Sequence, residues 1–176
     1  MDRVKPRRQV KEIPLTKVTS PPLLKCGLAN CRSVKNKADS IRDFITENGI
    51  DCMALTETWL SANEEENQVA ISSLMPGTHA ILHVPRKTRG GGVGFIYNRL
   101  FSPKLDTSLA FSSFECQTVV LDANSFTFRF IIIYRIPPSS KNNIPKSAFL
   151  RELGDLLEST ATGAVRGLQC APRLQQ

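Results

Sequence analysis

The 176 residues are 41% hydrophobic and 22% charged, which excludes a disordered or fibrous chain and leaves room for one globular domain. No apolar run is long enough to span a bilayer, and the first residues hold no apolar stretch of the kind a secretory signal needs. The net charge is +7, and it is unevenly placed: residues 1–25 carry seven Lys/Arg and two acids, residues 160–176 carry two Arg and no acid, and residues 26–159 balance.

Residues 1–22 combine that charge with Pro6, Pro14, Pro21 and Pro22 and read as a flexible basic leader. Such a leader is a solvated arm or a sequence-independent holder of a polyanion such as DNA. The run Lys5 to Arg8 (KPRR) has the form of a nuclear import signal. Five cysteines without a CxxC pair argue against a disulfide framework and for an intracellular, reducing setting.

Order begins near Leu23. An apolar run over 23–29 suits a buried strand. Ser33 is placed to cap a helix whose apolar face is Ala38, Ile41 and Ile45, with Gly49 after its end. A second strand over 50–55 completes a βαβ unit with two parallel strands. The acidic stretch at Glu64, Glu65 and Glu66 reads as a solvated loop. His79–Val84 and 93–97 form a hairpin around an Arg/Gly-rich turn. Strands over 114–121 and Phe126–Tyr134 follow, with residues 122–125 as their turn. In the latter strand Phe126, Phe128, Phe130 and Ile132 share one face, and Ile131 and Ile133 the other, so both faces are expected to be covered. Residues 146–158 form a helix with a stripe of Phe149, Leu153, Leu156 and Leu157. After Ser159 no strand or helix pattern is visible.

His79 and His83 have zinc-pair spacing only if helical, and their segment reads as a strand, which leaves them structural. The glycine run at 90–94 fits neither nucleotide-binding signature and reads as a turn. Glu57 alone is an acid at a strand end, Asn30 a turn residue, and Tyr134 a strand-end tyrosine.

Their motifs give them a further meaning. Leu28-Ala29-Asn30-Cys31-Arg32-Ser33, Leu55-Thr56-Glu57-Thr58-Trp59-Leu60 and Tyr134-Arg135-Ile136-Pro137-Pro138-Ser139, in this order, resemble the endonuclease/exonuclease/phosphatase superfamily. Arg89-Gly90-Gly91-Gly92-Val93-Gly94 and Ser113-Phe114-Glu115 are similar to its LINE-type, non-LTR retrotransposon branch. The resemblance implies an α/β (α+β) fold, a four-layer sandwich of two facing sheets between helices, and magnesium-dependent cutting of phosphodiesters. It implies Glu57 as the metal ligand, Asn30 and Tyr134 as catalytic residues at the scissile phosphate, and Arg135 as a phosphate contact. Ile136 interrupts the usual Tyr-Arg-Pro-Pro order and shifts that loop by one residue.

The resemblance covers residues 23–158. The Gly-Asp-Phe-Asn strand end and the later Asp and Asp-His elements of the family have no counterpart here, and no histidine follows His83. The expectation is therefore a domain truncated after its first half, joined to an unrelated tail over 159–176. Three alternatives stay open: an intact small enzyme with a rebuilt site, a non-catalytic nucleic-acid-binding remnant, and a non-functional product. Half a sandwich would bare the face around Phe126 to Ile133, inviting self-association.

Overall fold

The computed structural model describes residues 23–85, 90–106, 110–123, 126–139, 143–160 and 169–170. The basic leader with its KPRR run, the centre of the Arg/Gly turn, the tip of the 122–125 turn and most of the tail lie outside the described residues.

Strand β1 (Lys25–Asn30), helix α1 (Ala38–Asn48) and strand β2 (Cys52–Thr56) form the expected βαβ unit. The two strands are parallel, with Cys26 opposite Cys52 and Asn30 opposite Thr56. Helix α1 buries Ala38, Ile41 and Ile45, and Gly49 closes it at φ +58 by donating its N–H to Ile45 O and Thr46 O. Ser33 does not cap it. The cap position is Lys37, because a turn held by Lys37 N–H to Val34 O intervenes between Ser33 and the helix.

The acidic stretch is not a loop. It opens helix α2 (Glu64–Leu74), whose cap Asn63 accepts from Glu65 N–H. Three acids in the first turn suit the positive end of the helix dipole. Asn67, fully buried, accepts from Ser61 N–H and donates to Ser61 O, so α2 is tied to the segment that leaves β2.

Strands β3 (His79–Val84) and β4 (Val93–Asn98) form the hairpin, and β4 pairs antiparallel with β2. Next come β5 (Lys104–Asp106), β6 (Glu115–Ala123) and β7 (Phe126–Tyr134). The sequence pattern missed β5, which is three residues long with two of them exposed. Helix α3 (Lys146–Thr160) follows, and β8 (Gln169–Cys170) adds a short parallel strand to β1, where no strand was expected. One sheet has the order β3-β4-β2-β1-β8 and the other β5-β6-β7.

Two cores separate the layers. Ala38, Ile41 and Ile45 of α1 and Leu74 of α2 pack on Met53, Leu55 and Ile96, on one face of the larger sheet. On its other face Cys26, Cys52, Val93 and Phe95 meet Val119, Leu121, Phe128 and Ile132 of the smaller sheet. Leu156 of α3 lines a cavity with Cys116, Thr118 and Arg129, on the far side of the smaller sheet. Helices, sheet, sheet and helix are the four layers of the expected sandwich.

The bare face expected around Phe126 to Ile133 is mostly closed. Phe128 is 1% and Ile132 4% exposed, because the larger sheet covers them. The apolar side chain left open on the inner side of β1 is Leu28, 54% exposed. In α3 only Leu156 of the expected stripe is fully buried, and Leu157 faces out. His79 is a core residue: its Nε2 pairs with Ile50 O and its Nδ1 with Thr78 Oγ1, both at 2.9 Å.

Glu152 fastens α3 to the approach of β6. Its carboxylate accepts N–H and O–H bonds from both Ser112 and Ser113, at 2.5 to 3.3 Å. These bonds hold its pKa down at about 2, the Ser112 hydroxyl contributing most. A carboxylate depressed on folding stabilises above its unfolded pKa, and that stability is lost as pH falls through the folded value. The wild type should therefore lose thermal stability as pH drops from about 4.5 toward about 2. Glu152→Gln should be less stable at neutral pH and show a flatter Tm against pH across that window.

Candidate functional site

The site is built at the carboxyl ends of the parallel strands β1 and β2. In α/β sheets this is where crevices for ligands form. Asn30 is the last residue of β1, and Glu57 is the first residue beyond β2. The strand register brings them together, and Asn30 Nδ2 donates to Glu57 Oε1 at 2.8 Å. Asn30 is exposed and Glu57 half-buried, so the pair faces solvent.

The backbone around this pair is unusual. Arg32, Ser33, Glu57 and Trp59 all have positive φ, at +45°, +89°, +53° and +55°. Left-handed backbone costs roughly 1–2 kcal/mol for a residue with a Cβ, and it persists only where surrounding bonds fix it. Here they do. Cys31 N–H donates to Thr56 O, Ser33 N–H to Glu57 O and Val34 N–H to Thr58 O, at 2.8, 2.8 and 3.0 Å. The strand exits are thus laced together after the ladder ends.

The glycine run supports the same segment from the other side. Thr58 N–H donates to Gly92 O and Trp59 N–H to Gly91 O. Gly92 has φ +86, and a Cβ on it would stand 2.6 Å from Thr58 Oγ1. Only glycine lets this turn approach so closely. Gly92 N–H in turn donates to Glu115 Oε2 at 2.6 Å. Glu115 is the first residue of β6, directly opposite Tyr134 at the end of β7.

Tyr134 therefore sits at the same end of the sandwich, half-buried against the inner core. It is linked to the Asn30–Glu57 pair through Glu115, Gly92 and Thr58. Arg135 points elsewhere. Its guanidinium donates to Ile144 O and lies 5.1 Å from the centre of the Phe149 ring of α3. No described contact joins it to Glu57.

Cysteine chemistry is not available at this edge. Cys31, beside Asn30, has its pKa pushed up to about 12 by burial, and burial raises the thiol of Cys116, beside Glu115, as well. Both are neutral and inert at physiological pH. His83 is half-buried, and desolvation lowers its pKa from 6.5. Among the described residues no group of three His, Cys, Asp or Glu side chains converges on a metal position.

The motifs single out Asn30 and Glu57, which the structure brings within hydrogen-bond distance, but not the parts that hold them. Glu115 was visible only as part of a motif. The signal for α2 was present in Asn63 followed by three acids, the usual signature of a helix start.

Two facing sheets flanked by helices, with polar residues gathered at the strand ends, define a four-layer α/β sandwich. Among solved structures, the endonuclease domain of TRAS1, a telomere-specific non-LTR retrotransposon, superposes with a TM-score of 0.52 at 8% identity, over 76% of this chain and 52% of that one. An AP endonuclease from Archaeoglobus fulgidus gives 0.50 at 15% identity, over 81% and 53%. Truncated TDP2 from Caenorhabditis elegans gives 0.50 at 9%, over 74% and 50%. The chain has the endonuclease/exonuclease/phosphatase fold. It spans about half the length of these structures. No family model and no curated protein matches the sequence. Among the described residues no helix is long and apolar enough to cross a membrane.

Proposed function

We propose that this chain is part of a LINE-type, magnesium-using DNA endonuclease domain, and that it carries the metal and phosphate side of the site without the groups that activate water. The observation that carries this reading is the 2.8 Å bond between Asn30 and Glu57 at the carboxyl ends of two adjacent parallel strands.

The donor set suits magnesium in a limited way. A carboxylate and an amide oxygen are hard donors, and magnesium keeps several waters and takes substrate phosphate oxygens as further ligands. Glu57 is the residue that would hold it, and the ion would offset charge developing on the phosphate. Asn30, oriented by its bond to Glu57, presents its amide to the same opening. Tyr134 can donate its hydroxyl to a phosphate oxygen.

On this reading, no base is placed beside the Asn30–Glu57 pair among the described residues. Glu115 has an oxygen engaged by Gly92 N–H, and no histidine follows His83 in the sequence. Catalysis of hydrolysis needs a positioned proton acceptor as well as charge stabilisation. Supercoiled plasmid in magnesium should therefore be nicked no faster by the wild type than by Glu57→Ala. Nicking by the wild type that Glu57→Ala eliminates would show a working site and overturn the impaired reading.

Metal binding should be weak, roughly millimolar, as one carboxylate makes a poor site. In a magnesium titration followed by NMR, the Asn30 side-chain amide should shift in the wild type and stay still in Glu57→Ala. Equal responses would remove Glu57 from the site.

A second reading is a non-catalytic nucleic-acid binder. It is favoured by the seven basic residues against two acids in residues 1–25. For self-association the open inner-face position is Leu28.

A further inference from the structure

We infer that the exposed indole of Trp59 is a stacking platform for an unpaired base of single-stranded nucleic acid, whose backbone lies along the cationic loop between β1 and α1. The inference deepens the nucleic-acid reading of the site and rests on it.

Trp59 lies two residues beyond Glu57, between Thr58 and Leu60. Those neighbours are 0% and 2% exposed, whereas Trp59 is 39% exposed. An indole serving as core filler would be turned inward with them. Instead the chain adopts a left-handed conformation at Trp59, φ +55, which a bulky residue avoids unless held there. The Trp59 N–H to Gly91 O bond at 2.9 Å holds it.

The ring is also backed. A Cβ on Gly90 would stand 3.7 Å from the indole Nε1 and 3.9 Å from Cε2. The glycine backbone thus packs against the ring without a side chain to cover it. An aromatic ring anchored by backbone and partly open to solvent is a surface on which a base can stack.

Charge beside it is complementary to phosphate. Residues 31–37 contain Arg32, Lys35 and Lys37 and no acid. This loop runs directly alongside Trp59, through Ser33 N–H to Glu57 O and Val34 N–H to Thr58 O. Arg32 and Lys35 are exposed, and none of the three cations forms an ion pair among the described residues. An intact duplex keeps its base faces stacked on one another, so a single strand is the form that offers a free face.

Trp59 is the sole tryptophan, so intrinsic fluorescence reports on it alone. The full chain would be titrated, in chelator, with oligothymidylate, with an abasic phosphodiester oligomer of equal length, and with the matching duplex. Oligothymidylate should quench the emission strongly and the other two weakly. By anisotropy of a labelled oligothymidylate, Trp59→Leu should bind about tenfold more weakly and Trp59→Phe should retain most of the affinity. Both variants should bind the abasic oligomer as the wild type does. Equal quenching by the abasic oligomer, stronger quenching by duplex, or unchanged affinity of Trp59→Leu would overturn the platform. The arms need no metal, so they are independent of Glu57. If quenching holds while Glu57→Ala responds to magnesium as the wild type does, the endonuclease reading falls and the platform stands.

Discussion

Gly92→Ala should lower the unfolding free energy by about 3 kcal/mol, through forced left-handed backbone and overpacking together. The added Cβ would come within 2.6 Å of Thr58 Oγ1, and Thr58 has no exposed surface into which to retreat. The backbone at φ +86 cannot relax without breaking the Thr58 N–H to Gly92 O and Gly92 N–H to Glu115 bonds. The expected result is a large drop in denaturant midpoint at unchanged slope. Gly154→Ala is the internal control. Gly154 lies inside α3 with nothing within 4 Å of a new Cβ, so that change should stabilise by roughly 0.5–1 kcal/mol. Equal effects of the two would mean that the turn around Gly92 is looser than described.

DNA affinity should fall steeply with salt, and most of that dependence should reside in the leader. The six cations Arg3, Lys5, Arg7, Arg8, Lys11 and Lys17 can each displace a condensed counterion. Each contributes about 0.9 to the slope of log K against log salt for duplex and about 0.7 for single strands. Deleting residues 1–20 should therefore flatten the slope by roughly 4–5 units and abolish most binding at moderate salt. The remainder should come from Arg32, Lys35 and Lys37. Neutrality of residues 26–159 as a sum conceals this local cluster. A slope unchanged by the deletion would assign binding to the folded part.

Legibility in the sequence followed burial. The period of Ala38, Ile41 and Ile45 and the apolar run of β2 each reflect one dominant force, and both were readable. Helix α2 was legible only at its capped start and not in its stripe, since its inward positions are Asn67, Ala70 and Leu74. A buried asparagine breaks the apolar stripe, and its reason is the pair of bonds to Ser61, which no local pattern encodes. The same holds for the site. Asn30 and Glu57 carry their meaning in short motifs, whereas the roles of Gly92 and Glu115 exist only once β4 and β6 have docked. The loop shift at Ile136 was visible, but the seating of Arg135 on Phe149 depends on where α3 packs.

The lacing of the strand exits also sets when the site can come into being. Asn30 and Glu57 lie early in the chain, yet the bond that props Gly92 reaches Glu115, 23 residues further on. Glu115 is in turn placed by a stretch that Glu152 anchors from α3. Contacts of such separation form late in folding, after local helices and hairpins. During synthesis a chain that has emerged only as far as β4 would hold both polar residues with half of their scaffold missing. The rim therefore depends on elements that arrive after both polar residues, and its rigidity reports on whether the second sheet has been laid down over the first.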